Sequence, residues 1–468
     1  MSRYGPQPLP IDNAITAQKG LVAATCLSYV IVILDTSIVN VGLAPLASTL
    51  QTTVSGLQWV VNAYTLTFAS LLLGGGSLGD KFGAKKTYLI GLLLFAAASA
   101  GCGLSSTLPA LIFGRILQGV GASLLVPSSL ALINNAFSNT HGRAKAIGVW
   151  AGCGGIAMAA GPLLGGVLIH FFGWRSIFLL NVPIALLAAL LAVRIPAPAS
   201  PTHRKPIDLS GQLLAIISLA TSIAVLIEMA PRGWHDPLIQ LGTAVALGAC
   251  GLFVMVERRC KQPMLPMNLF RLAEFSASAL VSLISGLVFY GLFFLLSLYF
   301  QQVRGWTPLD TGLAFLPLTL LVTLGSFSAG KINRLIGPLW LIAGCCGLYA
   351  AGFAGLLFMG ENAPYWRIAL CFPALGLAAG VITPVATASL MGSIKKDRAG
   401  IAAGVLNASR QTGSALGVAI FGSLMMSIQS FTTGLHLALC VAIALSVLAG
   451  VLWTAILLPS SSHKKTTP

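Results

Sequence analysis

The stretch LVAATCLSYVIVILDTSIVNVGLAPL, residues 21–46, is an apolar run that carries a carboxylate, Asp35, near its middle. The run is longer than the ~20 helical residues that cross the ~30 Å hydrocarbon core of a bilayer. An ionised aspartate at the centre of a bilayer costs on the order of 3 kcal/mol. The run therefore predicts a transmembrane helix, and the cost of Asp35 indicates that this residue has a function.

The composition of the whole chain agrees with a membrane protein. Of its 468 residues, 56% are hydrophobic and only 8% are charged, whereas soluble domains carry roughly 25% charged residues. The 51 Gly and 24 Pro are compatible with helices, because transmembrane helices tolerate both residues better than soluble helices do. The first 20 residues are polar and no signal-peptide cleavage site follows them, so we expect no cleaved leader. We predict an all-α polytopic membrane protein.

Fourteen apolar segments are long enough to cross the bilayer, and we predict that each is a transmembrane helix. They are residues 22–46, 56–78, 86–105, 108–134, 144–169, 176–195, 211–230, 238–256, 275–300, 310–330, 338–359, 366–391, 400–429 and 434–458. With this even number of spans, we place both the N and the C terminus in the cytoplasm.

The basic residues test this topology, because Lys and Arg collect in cytoplasmic loops. Of the 27 Lys and Arg, twenty-one fall on the cytoplasmic side, four fall outside and two lie within spans. The cytoplasmic ones are Arg3, Lys19, Lys81, Lys85, Lys86, Arg143, Lys145, Arg194, Arg204, Lys205, Arg258, Arg259, Lys261, Arg271, Lys331, Arg334, Lys395, Lys396, Arg398, Lys464 and Lys465; the outside ones are Arg175, Arg232, Arg304 and Arg367. A missed span would have scrambled this alternation.

The same loops account for the formal net charge of +16. Because these residues face anionic lipid in short cytoplasmic loops, we expect no nucleic-acid partner. The nine Cys form no CxxC and no Cys/His cluster, so we expect neither a disulfide framework nor a metal site. A GxxxxGK[ST] motif is absent from the sequence, so ATP hydrolysis by this chain is not expected.

Two long cytoplasmic connections divide the chain. RIPAPASPTHRKPIDLSG (194–211) is a Pro-rich polar linker, and ERRCKQPMLPMNLFRLAEF (257–275) is basic and partly amphipathic. We therefore predict an N-terminal six-helix bundle (1–195), a linker region with two inserted helices (196–274) and a C-terminal six-helix bundle (275–468).

The two bundles share traces of an internal repeat. GSLGDKFGAKK (76–86) has a counterpart in GSFSAGKINRLIG (325–337), and the segment 143–166 resembles 398–417. Two homologous halves that face each other are typical of a transporter that alternates access around a central site.

Several of these segments resemble one known family. GSLGDKFGAKK is similar to the loop motif of the major facilitator superfamily, and RILQGVGAS (115–123) resembles its fourth-helix motif. GVWAGCGGIAMAAGPLLGG (148–166) is similar to the antiporter motif of the fifth helix, with Ala157 where the family has Gly. LDTSIVNVGLAPLA (34–47) resembles the first helix of the fourteen-helix drug:proton antiporter family, which carries out multidrug efflux. The resemblance covers essentially the whole chain and implies the major facilitator fold.

Asp35 and Arg115 are the candidate proton-coupling residues. Counted along their antiparallel helices at ~1.5 Å per residue, the two charges lie at comparable depth. Burial raises the pKa of an aspartate and a nearby arginine lowers it, so making and breaking this pair would switch proton affinity. The alternative is a permanent ion pair that ties the two helices together.

The resemblance implies roles for two further groups of residues. A conformational gate is implied at Gly76, Asp80, Gly83, Lys85 and Lys86, and the alternative is that these charges only set topology. A bend for alternating access is implied at Gly148, Gly152, Gly161, Pro162, Gly165 and Gly166, and the alternative is tight helix packing alone.

The substrate-cavity candidates are polar or aromatic residues in or beside spans. They are Asn40, Gln58, Asn62, Tyr64, Gln118, Trp150, Tyr290 and Arg410. The aromatic ones have interfacial anchoring as their alternative. Arg410 has no obvious acid nearby, so it either faces the cavity or donates to backbone carbonyls. Aromatic walls with few charges suit flat amphipathic compounds, often cationic ones.

We therefore predict a secondary transporter, not an enzyme, that exports small amphipathic or cationic drugs or biocides from a bacterial cell across its inner membrane. The proton gradient drives it and no cofactor is expected; its partners are the substrate, protons and the lipid bilayer. We expect a monomer, and a periplasmic adaptor stays an open alternative. A dedicated exporter of one metabolite or self-made antibiotic is the first alternative function. An uptake symporter and a transport-dead receptor are weaker alternatives.

Overall fold

The computed structural model describes residues 11–137, 139–194, 208–260, 262–358, 360, 363–394, 399–426 and 430–463. The regular structure of these residues is entirely helical. Part of the predicted linker, 195–207, lies outside the described residues. So do nine of the basic residues used for the topology, namely Arg3, Arg204, Lys205, Lys261, Lys395, Lys396, Arg398, Lys464 and Lys465.

The helices follow the predicted apolar segments. They are α1 (Ile11–Ile38), α2 (Leu43–Leu50), α3 (Val54–Phe82), α4 (Ala84–Leu104), α5 (Leu108–Ala136), α6 (Thr140–Phe172), α7 (Ser176–Leu179), α8 (Asn181–Val193), α9 (Leu209–Arg232), α10 (Pro237–Arg259), α11 (Ala273–Leu298), α12 (Pro308–Leu356), α13 (Tyr365–Ala369), α14 (Phe372–Gly392), α15 (Ala399–Met426) and α16 (Phe431–His463). A 3₁₀ turn, Val39–Gly42, joins α1 to α2. Within the described residues, 12 helices are long and apolar enough to cross a membrane.

One predicted loop is shorter in the structure than in the sequence prediction. The prediction ended one span at residue 330 and began the next at 338; the structure also has two helices here, labelled together as α12, and residues 331–336 extend the first of them. Only Gly337 interrupts α12, with a φ of +75°, and Pro338 follows. Gly83, with a φ of +95°, ends α3 in the same way. Because both glycines close the two related segments of the internal repeat, their shared left-handed geometry supports that repeat.

The long helices form two groups of neighbours. In the N-terminal half α3 and α4 pack on α5, while α1 packs on α6 and α8. In the C-terminal half α12 packs on α14 and α16, and α11 packs on α15. The C-terminal core is rich in aromatic residues, with Phe293 stacked on Phe315 at 4.2 Å and Phe300 stacked on Trp306 at 4.9 Å between ring centroids.

The two halves meet most extensively at one end of the bundle, which we call the closed end. This end carries the turns 51–53, 105–107, 173–175 and 304–307. Gln58 of α3 donates from Nε2 to the carbonyl oxygens of Val418 and Ala419 on α15, at 2.9 and 2.8 Å. Polar contacts therefore tie the N-terminal half to the C-terminal half at this end.

A second group of contacts joins the end of α1 to the end of α11. Gln301 receives the backbone N–H of Ala44 at 2.9 Å and donates to the Asn40 carbonyl at 3.2 Å. Ser297 donates to the same Asn40 carbonyl. Because Asn40 lies in the 3₁₀ turn, its carbonyl can accept hydrogen bonds from Ser297 and Gln301. The end of α1 is thereby joined to the end of α11.

Glycines allow α6 and α12 to touch at the closed end. A Cβ on Gly166 would lie 2.7 Å from the backbone oxygen of Pro308, and a Cβ on Gly312 would clash with the backbone of Pro162. Nearer the middle, Thr319 donates to the Ala159 carbonyl at 3.1 Å.

The opposite end, which we call the open end, carries Gly83 and the first turns of α6 and α15. Here a Cβ on Gly148 or Gly152 of α6 would meet no atom within 4 Å, so this face of α6 has no neighbour among the described residues. On the flank of α3 and α15 the halves still touch, because a Cβ on Gly404 would lie 2.6 Å from Leu73.

The inserted pair α9–α10 attaches to both halves through α9. Ile223 and Ile227 of α9 are buried with Leu66 of α3 and Ala415 of α15. Gln212 donates to the Ser70 carbonyl at 2.6 Å. The helix α9 thus covers the seam between α3 and α15.

Polar contacts hold the two ends of this pair. At one end Glu228, 31% exposed, accepts from Trp59 Nε1 at 3.0 Å and pairs with Arg232 at 3.2 Å. Glu228 therefore anchors α9 to α3 through Trp59. At the other end Asp208 caps α9; burial raises its pKa, but hydrogen bonds from the Gly211 N–H and from Ser210 outweigh burial and lower the pKa of Asp208 overall.

The contact between α6 and α12 leads to a prediction about stability. Gly166→Ala forces a methyl group against the Pro308 backbone, which cannot turn away as a side chain can, so we expect a loss of about 1–3 kcal/mol. Thermal unfolding of the purified protein measures it. Gly101→Ala is the matched control, because nothing lies within 4 Å of its Cβ position. Equal melting temperatures for the two variants would contradict the assigned contact.

Candidate functional site

Asp35 and Arg115 form a buried ion pair inside the N-terminal half, as their predicted depths indicated. Arg115 Nη1 donates to Asp35 Oδ2, and the two side chains are 0% and 1% exposed. Asp35 comes from α1 and Arg115 from α5, so the pair joins two antiparallel helices. In the described conformation neither charge reaches solvent.

The other carboxylate oxygen of Asp35 has its own donors. Asn181 Nδ2, at the start of α8, donates to Asp35 Oδ1 at 3.0 Å, and Gln118 Nε2 donates to it at 3.3 Å. Gln118 also donates to Ser99 Oγ of α4 at 2.8 Å and accepts from Arg115 at 3.0 Å. Asp35 of α1 is thus linked directly to α5 and α8, and to α4 through Gln118.

Arg115 is held equally firmly. Its Nε donates to the Val60 carbonyl of α3 at 3.0 Å. The guanidinium carbon lies 4.4 Å from the ring centroid of Tyr64 and 5.7 Å from that of Phe178. Tyr64 in turn donates to the Val32 carbonyl at 3.0 Å, one turn before Asp35. The rings cover the cation and keep water away from it.

Local hydrogen bonds explain why α1 can carry polar residues here. Thr36 donates to the carbonyls of Val32 and Ile33, and Ser37 donates to the Leu34 carbonyl. Asp35 is thus the residue of this stretch that turns to other helices.

This arrangement has a definite chemical capacity. Arg115, Gln118 and Asn181 together complement both carboxylate oxygens of Asp35, and all four side chains are closed to solvent in this arrangement. Solvent reaches the carboxylate only when the helices shift. The site can therefore couple protonation to helix movement, and it can equally act as a permanent tie between α1 and α5.

Asn181 and Ser99 belong to this cluster but were not among the predicted site residues. Asn181 lies in FGWRSIFLLNVP (172–183), a segment that already resembled the family. An Asn directly before Val-Pro in an apolar run was the signal, because an amide is costly in hydrocarbon without partners. The structure also separates α8 from the short α7 just before Asn181.

The predicted gate residues lie at the open end, around the turn from α3 to α4. Gly83 provides the left-handed turn, and a Cβ on Gly76 would lie 3.7 Å from Pro127 of α5. Lys85 Nζ donates to the Val193 carbonyl at the end of α8, at 3.0 Å. Asp80 is exposed, and no ion pair to it occurs among the described residues. Its role in a gate, like that of Lys86, stays a prediction.

The glycines of α6 fall into two groups. Gly161 lies against Ser37, and Gly165 would place a Cβ 2.5 Å from Val41, so these two allow α1 to approach. Gly166 contacts α12 at the closed end, where the carbonyl of Pro162 also faces Gly312. Tight packing explains this group, whereas Gly148 and Gly152 border open space and packing does not explain them.

The eight substrate-cavity candidates occupy different places. Tyr64 and Gln118 belong to the buried charge cluster. Asn40 and Gln58 hold the closed end. Asn62 is fully buried, and neither its Nδ2 nor its Oδ1 has a hydrogen-bond partner.

The remaining three candidates, Trp150, Tyr290 and Arg410, lie where the halves face each other. Trp150 stacks on Tyr29 of α1, with ring centroids 3.7 Å apart and planes at 17°. The Tyr290 hydroxyl points to Met158 Sδ across the interface, at 3.9 Å. This region is therefore a better substrate candidate than the other five residues.

Two helical halves that pack on each other through α3 with α15 and α6 with α12, with an ion pair buried in one half, are an architecture typical of membrane transporters. The Major Facilitator Superfamily profile matches residues 25–418. The chain belongs to the Major Facilitator Superfamily and is a multi-pass membrane protein.

Its relatives include named resistance proteins. The chain is 34% identical over 440 residues to the methylenomycin A resistance protein of Streptomyces coelicolor. This alignment covers 94% of the chain and 92% of that protein. It is 35% identical over 421 residues to the multidrug resistance protein Stp of Mycobacterium tuberculosis, with 88% and 77% covered. A solved bacterial homologue of the human lysosomal transporter Spinster, inward-facing and unoccupied, has a TM-score of 0.65 at 15% identity and covers 94% of this chain and 97% of that chain. That last likeness shows the fold alone.

The buried pair leads to a prediction for a double-mutant cycle. Arg115→Met leaves Asp35 as an uncompensated buried charge, so we expect it to destabilise the protein by about 3–5 kcal/mol. Adding Asp35→Asn removes that charge and should restore most of the loss. Thermal unfolding of the two single variants and the double variant measures the coupling. Additive losses would show that the pair does not stabilise the bundle.

Proposed function

We propose that this protein is a proton-coupled antiporter that exports small amphipathic drugs or biocides by alternating access. The observation that carries the proposal is the solvent-excluded Asp35, which pairs with Arg115 and accepts hydrogen bonds from Gln118 and Asn181. An acid in this setting changes protonation only when the surrounding helices move, which is what coupling requires. The names of the relatives support efflux of drugs.

The proposal includes an orientation. The described basic residues at the open end include Lys81, Lys85 and Lys86 in the turn after α3, and Arg175 and Arg304 lie at the closed end. The positive-inside rule then favours fourteen spans with both termini in the cytoplasm. The described conformation would be open to the cytoplasm, in the inner membrane of a bacterium.

A transport cycle follows from this orientation. The substrate enters from the cytoplasm while Asp35 is ionised and paired. The first half of α6, with Gly148 and Gly152, then approaches the C-terminal half and closes the open end. Opening of the opposite end exposes Asp35 to periplasmic protons, and its protonation releases Arg115. Asp80 and the adjacent lysines would latch the closed cytoplasmic end.

No cofactor has a part in this cycle, since the proton gradient supplies the free energy. The partners that we propose are the substrate, protons and the bilayer, with the monomer as the working unit.

A second candidate is an exporter dedicated to a single compound, with the same coupling. The relative from Streptomyces coelicolor, which is named for resistance to one antibiotic, favours this candidate. Expression in a drug-sensitive bacterium separates the two: resistance to many unrelated compounds supports multidrug efflux, and resistance to one supports a dedicated exporter.

Asp35→Asn tests the proton-coupling proposal. In everted vesicles with an acidic lumen, a panel of dyes and biocides should collapse the pH gradient with the native protein but not with this variant. Binding of the same compounds to the purified variant should persist, because the substrate site lies elsewhere. Glu228→Gln is the matched control, since that acid anchors α9 to α3. Undiminished proton-coupled transport by Asp35→Asn would refute the assignment.

Gly152→Leu tests the closure of the open end. The added side chain enters open space in the described conformation, so the melting temperature should stay close to that of the native protein. Transport should be lost, because α6 could no longer approach the C-terminal half. Gly101→Leu adds the same side chain to α4 at another position with open space and should transport normally. Normal transport by both variants would show that α6 does not close in this way.

A further inference from the structure

Arg410 is a half-buried cation that the proton-coupling cluster does not use. It lies near the middle of α15, and no carboxylate among the described residues forms an ion pair with it. Its Nη2 donates to Asn407 Oδ1 at 3.0 Å, while its Nε has no acceptor. A cation at this depth is costly unless something compensates for it.

The neighbours of Arg410 come from both halves. The backbones of α11 and α15 touch at Gly286, where any Cβ would clash with the Arg410 carbonyl. Tyr290, one turn further along α11, interacts electrostatically with both Arg410 and Tyr29. Tyr29 carries the stacked ring of Trp150. We call the group Tyr29, Trp150, Met158, Tyr290, Asn407 and Arg410 the interface subsite.

The interface subsite has spare donors. Trp150 Nε1 is buried without an acceptor on a side chain that is only 6% exposed, and the Nε atom of the half-buried Arg410 also has no acceptor. The one amide oxygen of the group, that of Asn407, already accepts from Arg410. Buried donors of this kind are normally paired, so the group is suited to a ligand that brings acceptors.

Charge decides which ligand fits. An anion beside Arg410 would supply both the missing acceptor and the missing negative charge, and arginine binds carboxylates through two parallel hydrogen bonds. A cation would meet a like charge in a region of low dielectric, which is unfavourable. The stacked pair Tyr29–Trp150 offers an apolar wall for the rest of the molecule.

We propose that the interface subsite binds the acidic group of an amphipathic substrate, a carboxylate attached to a flat apolar body. This proposal rests on the export function and replaces the expected preference for cationic compounds. Since the subsite combines residues of both halves, the anion would also draw α15 toward α1 and α6.

Three pyrene ligands of matched size test the proposal: 1-pyrenebutyric acid, 1-pyrenebutanol and 4-(1-pyrenyl)butylamine. Dissociation constants are measured on purified full-length protein at about pH 7.5, where an ordinary carboxylic acid is ionised. We expect the acid to bind most tightly and the amine most weakly. Arg410→Gln should weaken binding of the acid by roughly 10- to 100-fold and leave the alcohol within about threefold.

Two further variants complete the experiment. Arg410→Lys keeps the charge but loses the planar fork, so it should bind the acid with intermediate affinity. Lys331→Gln, at an exposed position of α12, is the control for loss of one positive charge and should bind the acid like the native protein. If Arg410→Gln does not fold, the three ligands on the native protein and on Arg410→Lys decide the question.

Two outcomes overturn the proposal: equal affinity of the native protein for the acid and the amine, or unchanged binding of the acid by a folded Arg410→Gln. These measurements use no proton gradient, so they are independent of the coupling mechanism. Selective binding of the acid without gradient-driven transport would refute the antiporter but support the subsite. Gradient-driven transport of the amine that Arg410→Gln does not affect would support the antiporter and refute the subsite.

Discussion

The ion pair between Asp35 and Arg115 is the interaction on which the N-terminal half depends. In a medium of low dielectric each charge is tolerable only because the other lies beside it. The pair therefore fixes α1 against α5, and its further partners on α3, α4 and α8 are placed around it. Such a constraint suits a protein with two conformations. If Asp35 were neutralised, Arg115 would lose its counter-charge, and the contacts that join α1 to α5 would lose their electrostatic support together.

The fold was largely predictable because its signals are physical quantities spread along the chain. Apolar length located the long helices, and glycines marked the sharp turn at Gly83 and the break at Gly337. The loop between the spans at 310–330 and 338–359 is shorter than predicted, since the polar segment KINRLI is as compatible with a helix as with a loop. The comparable depth of Asp35 and Arg115 was predictable, because helical rise sets the depth of a residue along its helix.

Site residues were harder to predict, because polarity in a span shows that a side chain avoids lipid but not which interior it faces. Gln58 holds the closed end, Gln118 supports Asp35, and Trp150 lines the interface. All three were predicted to line the substrate cavity for the same reason, that they are polar or aromatic residues in or beside spans. Asn181 was missed although it is an amide in an apolar run, because the sequence does not show that it faces Asp35. Predicting which way a side chain points around its helix axis requires knowledge of how the helices pack, and a single sequence does not contain that information.

The position of α9 makes the molecule asymmetric toward the lipid. Two halves that part at one end ordinarily leave two lateral slits, one on each flank. Here α9 covers the flank between α3 and α15 along its length, from Gln212 to Glu228. Among the described residues the inserted pair makes no comparable contact with the flank between α6 and α12, where the two halves pack directly on each other. The two flanks of the bundle are therefore built differently: a third element bridges one of them, and the other depends on the α6–α12 contact alone.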